Sequence, residues 1–381
     1  MSADRGDIVE VTVERLVAGG EGLARRDGKA LFVAGVLPGE RAAVRLVESR
    51  KDFDRAELAE LLQQSPDRVS PACPLAGRCG GCDWLHVAHA AQLGLKRAIV
   101  RETLRRTGRI ERGEPPLEPG PALAYRNRVQ LHRHPAGGLG YREAAGHRVV
   151  ETRACPVAVP AINAFLANPP APESIGLDRF TVFGDASRAA CEGRDDDRDL
   201  SAAVAGRGIS FSVGCFFQSN LAVLQDLAPH AAASAGSGGA VADLYAGVGL
   251  FSALVAGRFD RVVAVESSAR SLSFAARNAA PDALEAFPMT VEQWISAGAA
   301  GGPFDAVIVD PPRPGLGGEV RTWLVSAQPR TLVYVSCNPV TLARDLGELA
   351  RGGFTVDDLR LFDFTPQTSH VEAVAVLHAT R

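Results

Sequence analysis

Cys337 stands in the run Val335-Ser336-Cys337-Asn338-Pro339, at the end of an apolar, β-branched stretch and just before a helix-like one. A thiol so placed is a candidate nucleophile, because the free amides of a helix N-terminus favour a thiolate. Glu372 lies in His370-Val-Glu372-Ala-Val-Ala-Val-Leu377, a carboxylate inside an apolar run. Burial there raises its pKa and suits it to general-base work. Asp310-Pro-Pro-Arg313-Pro-Gly315 ends another apolar run, so Asp310 and Cys337 are expected to open onto one face of one sheet. A nucleophile, a base and an acidic turn in one cleft describe covalent catalysis coupled to proton abstraction.

A cofactor site is expected on the same face. Asp243-Leu-Tyr245-Ala-Gly247-Val-Gly249 follows an apolar strand and opens a helix, where glycines let backbone approach a ligand closely. Further on, Arg261-Val-Val-Ala-Val-Glu266 ends in a carboxylate placed to accept hydrogen bonds from ribose hydroxyls. Dinucleotide and S-adenosylmethionine sites share this arrangement. The third glycine of the dinucleotide fingerprint is missing, since Leu250, Phe251 and Ser252 follow Gly249. That favours S-adenosylmethionine over a redox enzyme on a dinucleotide fold.

Of seven cysteines, Cys73, Cys79 and Cys82 form C-x5-C-x2-C in the Pro/Gly-rich loop CPLAGRCGGC, and Cys155, followed by Pro156, offers a distant fourth thiolate. Four thiolates suit an iron–sulfur cluster or tetrahedral zinc. The spacing lacks the paired C-x2-C of a zinc ribbon, which tilts the reading to iron–sulfur. Cys191 and Cys215 have no partner in the pattern.

These groups require a scaffold of several domains. The chain has 381 residues, 46% of them hydrophobic and 22% charged, and a net charge of −3, an ordinary globular balance. No apolar run reaches the roughly 18–20 residues that cross a bilayer, and MSADRGDIVE lacks a signal-peptide core, so a cytoplasmic protein is expected. Residues 1–62 alternate apolar and polar over short spans separated by Gly-rich turns, which reads as a small antiparallel β-barrel. Residues 63–205 hold the cysteine loop, a helix from about Ala90 to Thr107 and strand-like sequence including Tyr125–His134, an α+β domain. Residues 206–381 alternate apolar β-rich runs with helix-like stretches, the rhythm of a doubly wound, Rossmann-like α/β sheet. Charge is uneven: 96–153 carry thirteen Lys/Arg against six Asp/Glu, whereas 216–381 carry eleven against sixteen. A basic middle beside an acidic catalytic half fits a polyanion-binding module, and scattered solvated arginines fit the same count.

One chemistry uses all these groups. C5 of uracil is a poor nucleophile, but thiolate addition at C6 gives an enolate whose C5 attacks a sulfonium methyl group. A base then removes the C5 proton and β-elimination frees the thiolate. The chain also resembles the bacterial RNA (uracil-5-)methyltransferases, specifically the iron–sulfur 23S ribosomal RNA type with an N-terminal TRAM domain. DPPRPG, sixteen residues, then LVYVSCNPVT is similar to the family's first signature, and FDFTPQTSHVE to its second, with Thr365 where an aromatic is expected. CPLAGRCGGC plus Cys155 resembles the family's ligands for a 4Fe-4S cluster. The resemblance implies Cys337 as nucleophile, Glu372 as proton acceptor, and Gln218, Tyr245, Glu266 and Asp310 as contacts to S-adenosyl-L-methionine. Leu250 stands where many relatives have Asn. Tyr125-Arg126-Asn127-Arg128 resembles a basic strand expected to meet phosphate. The implied partner is RNA, 23S ribosomal RNA first and transfer RNA as the alternative, bound by a monomer. An N6-adenine methyltransferase would place an aromatic where Arg313 stands, cytosine C5 methylation would leave the second signature unexplained, and a non-catalytic RNA-binding iron–sulfur protein would not need both Cys337 and Glu372.

Overall fold

A computed structural model describes residues 6–279 and 284–380. The first five residues of the 1–62 segment, and residues 280–283 and 381 of the 206–381 segment, lie outside the described residues.

The N-terminal segment forms one six-stranded sheet in the order Ile8–Thr12, Arg41–Ser49, Phe53–Gln63, Lys29–Val33, Gly22–Arg26, Arg15–Leu16. Alternate residues point inward, so Val11, Leu31, Val33, Val44 and Leu46 close a small core of their own. One pairing departs from the all-antiparallel expectation: Lys29–Val33 runs parallel to Phe53–Gln63, with Ala30 opposite Phe53. The reach from Val33 back to Phe53 passes through the Arg41–Ser49 strand, which is the crossover a parallel pair needs.

Helix His89–Thr103 follows the cysteine loop and continues into a π-type turn, Leu104–Gly108. Beyond it lies an antiparallel five-stranded sheet, ordered Val149–Glu151, Leu139–Arg142, Arg128–Arg133, Arg179–Gly184, Ala189–Cys191. Helix Pro160–Ala167 packs Ile162, Phe165 and Leu166 against Leu131, Phe180 and Val182 of that sheet.

The C-terminal sheet has eight strands, in the order Leu284–Phe287, Phe259–Val265, Gly238–Leu244, Ala306–Val309, Thr331–Ser336, Glu372–Ala379, Phe354–Phe362, Leu117–Glu118. The first five are parallel, and Glu372–Ala379 is antiparallel to both neighbours. Helices cover both faces, which is why Ala306–Val309 and Thr331–Ser336 are continuous apolar runs, buried at every residue. Leu221–Ser234 and Leu250–Val255 close one hydrophobic layer; Gly318–Ala327 and Pro339–Arg351 close the other. Strand order reverses between Gly238–Leu244 and Ala306–Val309, and the crevice beyond their C-terminal ends is where such sheets bind ligands.

Two features cross the expected domain limits. Leu117–Glu118, from the middle of the chain, pairs in parallel with Phe354–Phe362 as the eighth strand. The 205/206 division falls on the turn of a hairpin, Leu200–Val204 with Arg207–Phe211. Both of its strands give Val204, Ile209 and Phe211 to the C-terminal core, so that core begins before residue 206.

Candidate active site

The crevice is lined by Phe216, Gln218, Tyr245, Gly247, Leu250 and Asp310. Tyr245, Gly247 and Gly249 turn the chain from strand to helix with φ of 63°, 55° and 76°. A side chain at Gly249 would place its Cβ 2.6 Å from Ala275, so glycine lets two helices meet under the ligand loop. Gly247 donates its N–H to Glu266 (3.0 Å), and Ser252 donates its N–H and Oγ–H to Asp243 (2.8 and 2.6 Å). Asp243 is fully buried, its second oxygen has no protein partner, and burial lifts its pKa to about 6.

Gln218, Tyr245 and Asp310 therefore share one cavity. Glu266 stands behind its loop: besides Gly247, its carboxylate accepts from Ser268 N–H (2.7 Å) and Ser267 Oγ–H (3.2 Å). Leu250 fills the position where a polar contact was not expected.

A second cavity of about 250 Å³ is lined by Arg313, Cys337, Asn338, Ser369 and His370, with Ala18 and Gly19 of the N-terminal sheet at its edge. Its two catalytic turns are tied together, because the Arg313 carbonyl accepts from Asn338 Nδ2 (3.0 Å) and Thr341 Oγ1 (3.1 Å). Asn338 also caps the Pro339–Arg351 helix through Val340 N–H (3.0 Å). Glu372 reaches Cys337 through sheet register: Ser336 pairs with Ala373, so the next residue on each strand brings Cys337 beside Glu372.

The electrostatics of this cluster differ from the expectation for a helix-activated thiolate. Burial, with the nearby Glu372 and Asp310, pushes the Cys337 thiol up to about 11, and Arg313 alone pulls it down among neighbouring side chains. Burial and Asp310 likewise hold the Glu372 carboxyl well above the usual range, again opposed by Arg313. Asp310 itself rises to about 7 through burial and the charge of Asp243. Three acids share one countercharge, and the helix N-terminus does not outweigh that crowding. Asp310 lines the first cavity and acts electrostatically on Cys337, which lines the second, and on Glu372 beside it.

Cys73, Cys79, Cys82 and Cys155 all line a third cavity, together with Arg126, Tyr141, Leu85 and Val157. All four are free thiols. Gly81 donates its N–H to Cys79 Sγ (3.4 Å), and Asn163 fixes the Cys155 turn by accepting its N–H (2.7 Å) and donating to its carbonyl (3.1 Å). Tyr141 Oη is buried without an oxygen or nitrogen partner and interacts with Cys155. Four converging thiols with an unpaired donor fit a thiolate-held inorganic group. Among the described residues no three His, Cys, Asp or Glu side chains gather as a site for a single metal ion.

The Tyr125–Arg128 run leads into the strand Arg128–Arg133 and is held by contacts within the protein. Tyr125 Oη donates to the Pro366 carbonyl (2.8 Å), Asn127 donates to the Gln218 carbonyl (3.1 Å) and accepts from Leu221 N–H (2.9 Å), and Arg126 lines the cysteine cavity. Arg128 lies over the ring of Phe216 at 5.4 Å. Sequence reading missed Phe216, whose ring is 62% exposed at the mouth of the crevice, although its place two residues before Gln218 was a usable signal.

The order of the first seven of the eight strands, with its last pair reversed, the glycine turn and the acidic turn define an α/β methyltransferase domain. Family models agree along the chain: TRAM domain over residues 3–59, methyltransferase small domain over 217–323, and tRNA (uracil-5-)-methyltransferase over 302–380. The chain is 32% identical to a 23S rRNA (uracil(1939)-C(5))-methyltransferase RlmD of Pectobacterium carotovorum, covering 97% of this chain and 94% of that one. A protein of that name from Pseudomonas aeruginosa is 34% identical over the same shares. Among solved structures, the Pyrococcus abyssi tRNA (uracil-54, C5)-methyltransferase in complex with S-adenosyl-L-homocysteine superposes with TM-score 0.72 at 23% identity, covering 96% of this chain and 99% of that one. The chain belongs to the RNA (uracil-5-)methyltransferase family and is an RNA uracil-C5 methyltransferase. No helix among the described residues is long and apolar enough to cross a membrane.

Proposed function

We propose that the protein methylates C5 of a uridine in 23S ribosomal RNA, acting as a cytoplasmic monomer with a 4Fe-4S cluster on Cys73, Cys79, Cys82 and Cys155. The observation that carries the chemistry is Asp310, which lines the cavity of Gln218 and Tyr245 and whose charge bears on Cys337, a lining residue of the second cavity. S-adenosylmethionine in the first cavity supplies an electrophilic methyl group, its sulfonium offsetting the Asp310 charge. Cys337 loses its thiol proton to solvent through the open second cavity, and its sulfur bonds to uracil C6. C5 then carries the electron pair, takes the methyl group and leaves S-adenosylhomocysteine. Glu372, ionised once a cation lies beside Asp310, accepts the C5 proton as the C6–sulfur bond breaks. Arg313 lies beside Cys337 and Glu372 and stabilises both the thiolate and the carboxylate.

The base must leave its helix to expose C6, which calls for a single-stranded or flipped uridine. Exposed Phe216, backed by Arg128, offers a face on which such a base can stack. The four thiols would hold the cluster as a brace between the 73–82 loop and Cys155, and methyl transfer passes no electron through it. The spacing of the cysteines, without the paired C-x2-C of a zinc ribbon, favours a cluster over zinc.

Relatives named for 23S rRNA match at 32–34% identity over the whole chain, which supports that substrate over transfer RNA. The test is tritium release from RNA labelled at uridine C5. Release in step with methyl incorporation into 23S ribosomal RNA is expected; release from transfer RNA alone would reassign the substrate. Iron and acid-labile sulfide in anaerobically purified protein test the cluster.

A further inference from the structure

The cysteine loop runs directly into the loop that carries the catalytic base. Cys82 is followed by Asp83, whose Oδ1 accepts the Ser369 N–H at 3.0 Å. Next in sequence, Trp84 donates its N–H to the Gln367 carbonyl at 3.0 Å. Gln92 completes the clasp: its Oε1 accepts Gln367 N–H (2.8 Å) and its Nε2 donates to Gln367 Oε1 (3.1 Å) and to the carbonyls of Trp84 (3.2 Å) and Val87 (3.0 Å). Gln92 is fully buried and Gln367 nearly so, so these bonds have no competing water. Gln367 holds φ of 66°, a left-handed conformation that a non-glycine residue adopts only when its surroundings fix it.

The N-terminal sheet closes over the same point. A Cβ on Gly20 would fall 2.7 Å from Ser369 Cβ and 2.8 Å from both Asp83 Oδ2 and Trp84 Nε1. Ser369 and His370 line the Cys337 cavity, and Glu372 follows two residues later. The hydrogen bonds of Asp83, Trp84 and Gln92 to Gln367 and Ser369 join residues 83–92 to residues 367–369.

From this we infer that the cysteine loop is the positioning device for the catalytic loop, with Asp83 the residue that transmits the order of the thiol-bound group to Ser369, His370 and Glu372. The inference rests on the four-thiol cluster proposed above. When the cluster is intact, Cys82 is fixed and Asp83 holds the base loop in register with Cys337. When the cluster is lost, the 73–84 segment loosens and the base loop is released, while the cavity of Gln218, Tyr245 and Asp310 keeps its own supports in the Gly238–Leu244 and Ala306–Val309 strands.

The test compares the full-length wild-type protein, Asp83→Ala and Asp83→Asn, with the wild type also examined after anaerobic chelation. Four readouts are taken: cluster absorbance, amide hydrogen exchange, S-adenosylmethionine binding and the rate of adduct formation with 5-fluorouridine-containing RNA. Loss of a hydrogen bond to a charged acceptor in Asp83→Ala should raise exchange at Ser369–Val371 by roughly tenfold or more. Adduct formation should slow by a similar factor, with cluster absorbance and S-adenosylmethionine affinity unchanged. Asp83→Asn keeps an acceptor oxygen and should recover most of both. Chelation should reproduce the exchange pattern in the wild type and leave strands Gly238–Leu244 and Ala306–Val309 protected.

Wild-type exchange at Ser369–Val371 in cluster-loaded Asp83→Ala overturns the inference. So does faster exchange with no change in adduct rate. If Asp83→Ala does not fold, the chelation arm decides: wild-type exchange at Ser369–Val371 after loss of the cluster overturns the inference. Absence of iron and sulfide from the wild type would refute the cluster reading and with it the transmitting role of Asp83, while the Asp83 comparison would still show whether the clasp orders the base loop.

Discussion

Cys337 should be a sluggish thiol in the protein without its substrates, and replacing Arg313 should make it more so. Its pKa is pushed up to about 11 from an ordinary value of 9.0. At pH 8 about one molecule in a thousand carries the thiolate, against about one in ten for the ordinary thiol, since each pKa unit is tenfold. The more basic thiolate is also more nucleophilic, and a Brønsted slope of about 0.4–0.5 returns roughly tenfold of that loss. The net expectation is a reaction about tenfold slower than that of an exposed cysteine at pH 8. Arg313→Gln removes the one side-chain charge that favours the thiolate. A charge pair at contact distance is worth at most about 4 kcal/mol at an effective dielectric of 20, and the open cavity reduces this to about one pKa unit. After the nucleophilicity correction the variant should react about threefold more slowly. The assay is reaction with a small neutral disulfide from pH 7 to 10, with proteolytic mapping of the Cys337 peptide. The rate should climb tenfold per pH unit without a plateau in that window. A plateau at or below pH 8, or a faster Arg313→Gln variant, would refute the electrostatic reasoning and restore a helix-activated thiolate.

Four further outcomes follow from the same geometry. Glu372→Gln should still add to uracil and transfer methyl but fail to release it, so turnover falls by roughly 10²–10⁴ while a methylated covalent adduct accumulates on denaturing gels. Affinity for S-adenosylmethionine should weaken as pH falls through about 7, because Asp310 then takes up a proton and loses the charge that faces the sulfonium; calorimetry on Asp310→Asn should show a flat profile. Lys96→Met should cost about 3–5 kcal/mol in urea unfolding, since it removes the ammonium that neutralises the fully buried Asp363 carboxylate and leaves it only the His89 ring at 3.3 Å. Cys155→Ser should lose the iron and sulfide of the cluster while retaining S-adenosylmethionine binding.

The catalytic end of this molecule was legible because its signals are local. Asp310 and Cys337 each end a continuous apolar run, and parallel strands deliver their C-terminal residues to one crevice whatever the loops do. The four thiols were legible by residue type, and the fold gathers them across the 72 residues between Cys82 and Cys155. What the residues did not disclose is long-range pairing. Nothing in Leu117–Glu118 marks it as the edge of a sheet whose nearest strand begins at Phe354. Nothing in the Leu200–Phe211 hairpin says which core its alternate residues will join. The Tyr125–Arg128 run read only as basic surface, whereas Arg126 also lines the thiol cavity and Arg128 lies over the ring of Phe216. Thr365 shows how a departure from the family pattern is absorbed. Its carbonyl accepts from Lys96 Nζ (3.2 Å) and from Thr368 Oγ1 (2.7 Å), so hydrogen bonds hold a turn that an aromatic would otherwise pack.

The central claim, that Cys337 bonds to a uracil whose C5 then takes the methyl group, is tested most directly with 5-fluorouridine-substituted RNA and S-adenosylmethionine. Fluorine at C5 cannot leave as a proton, so the reaction stops at the adduct. The account predicts a denaturation-resistant, methylated adduct with 23S ribosomal RNA that maps to the Cys337 peptide and is absent from Cys337→Ala. An adduct through another residue, or none with ribosomal or transfer RNA while S-adenosylmethionine is bound, would contradict it.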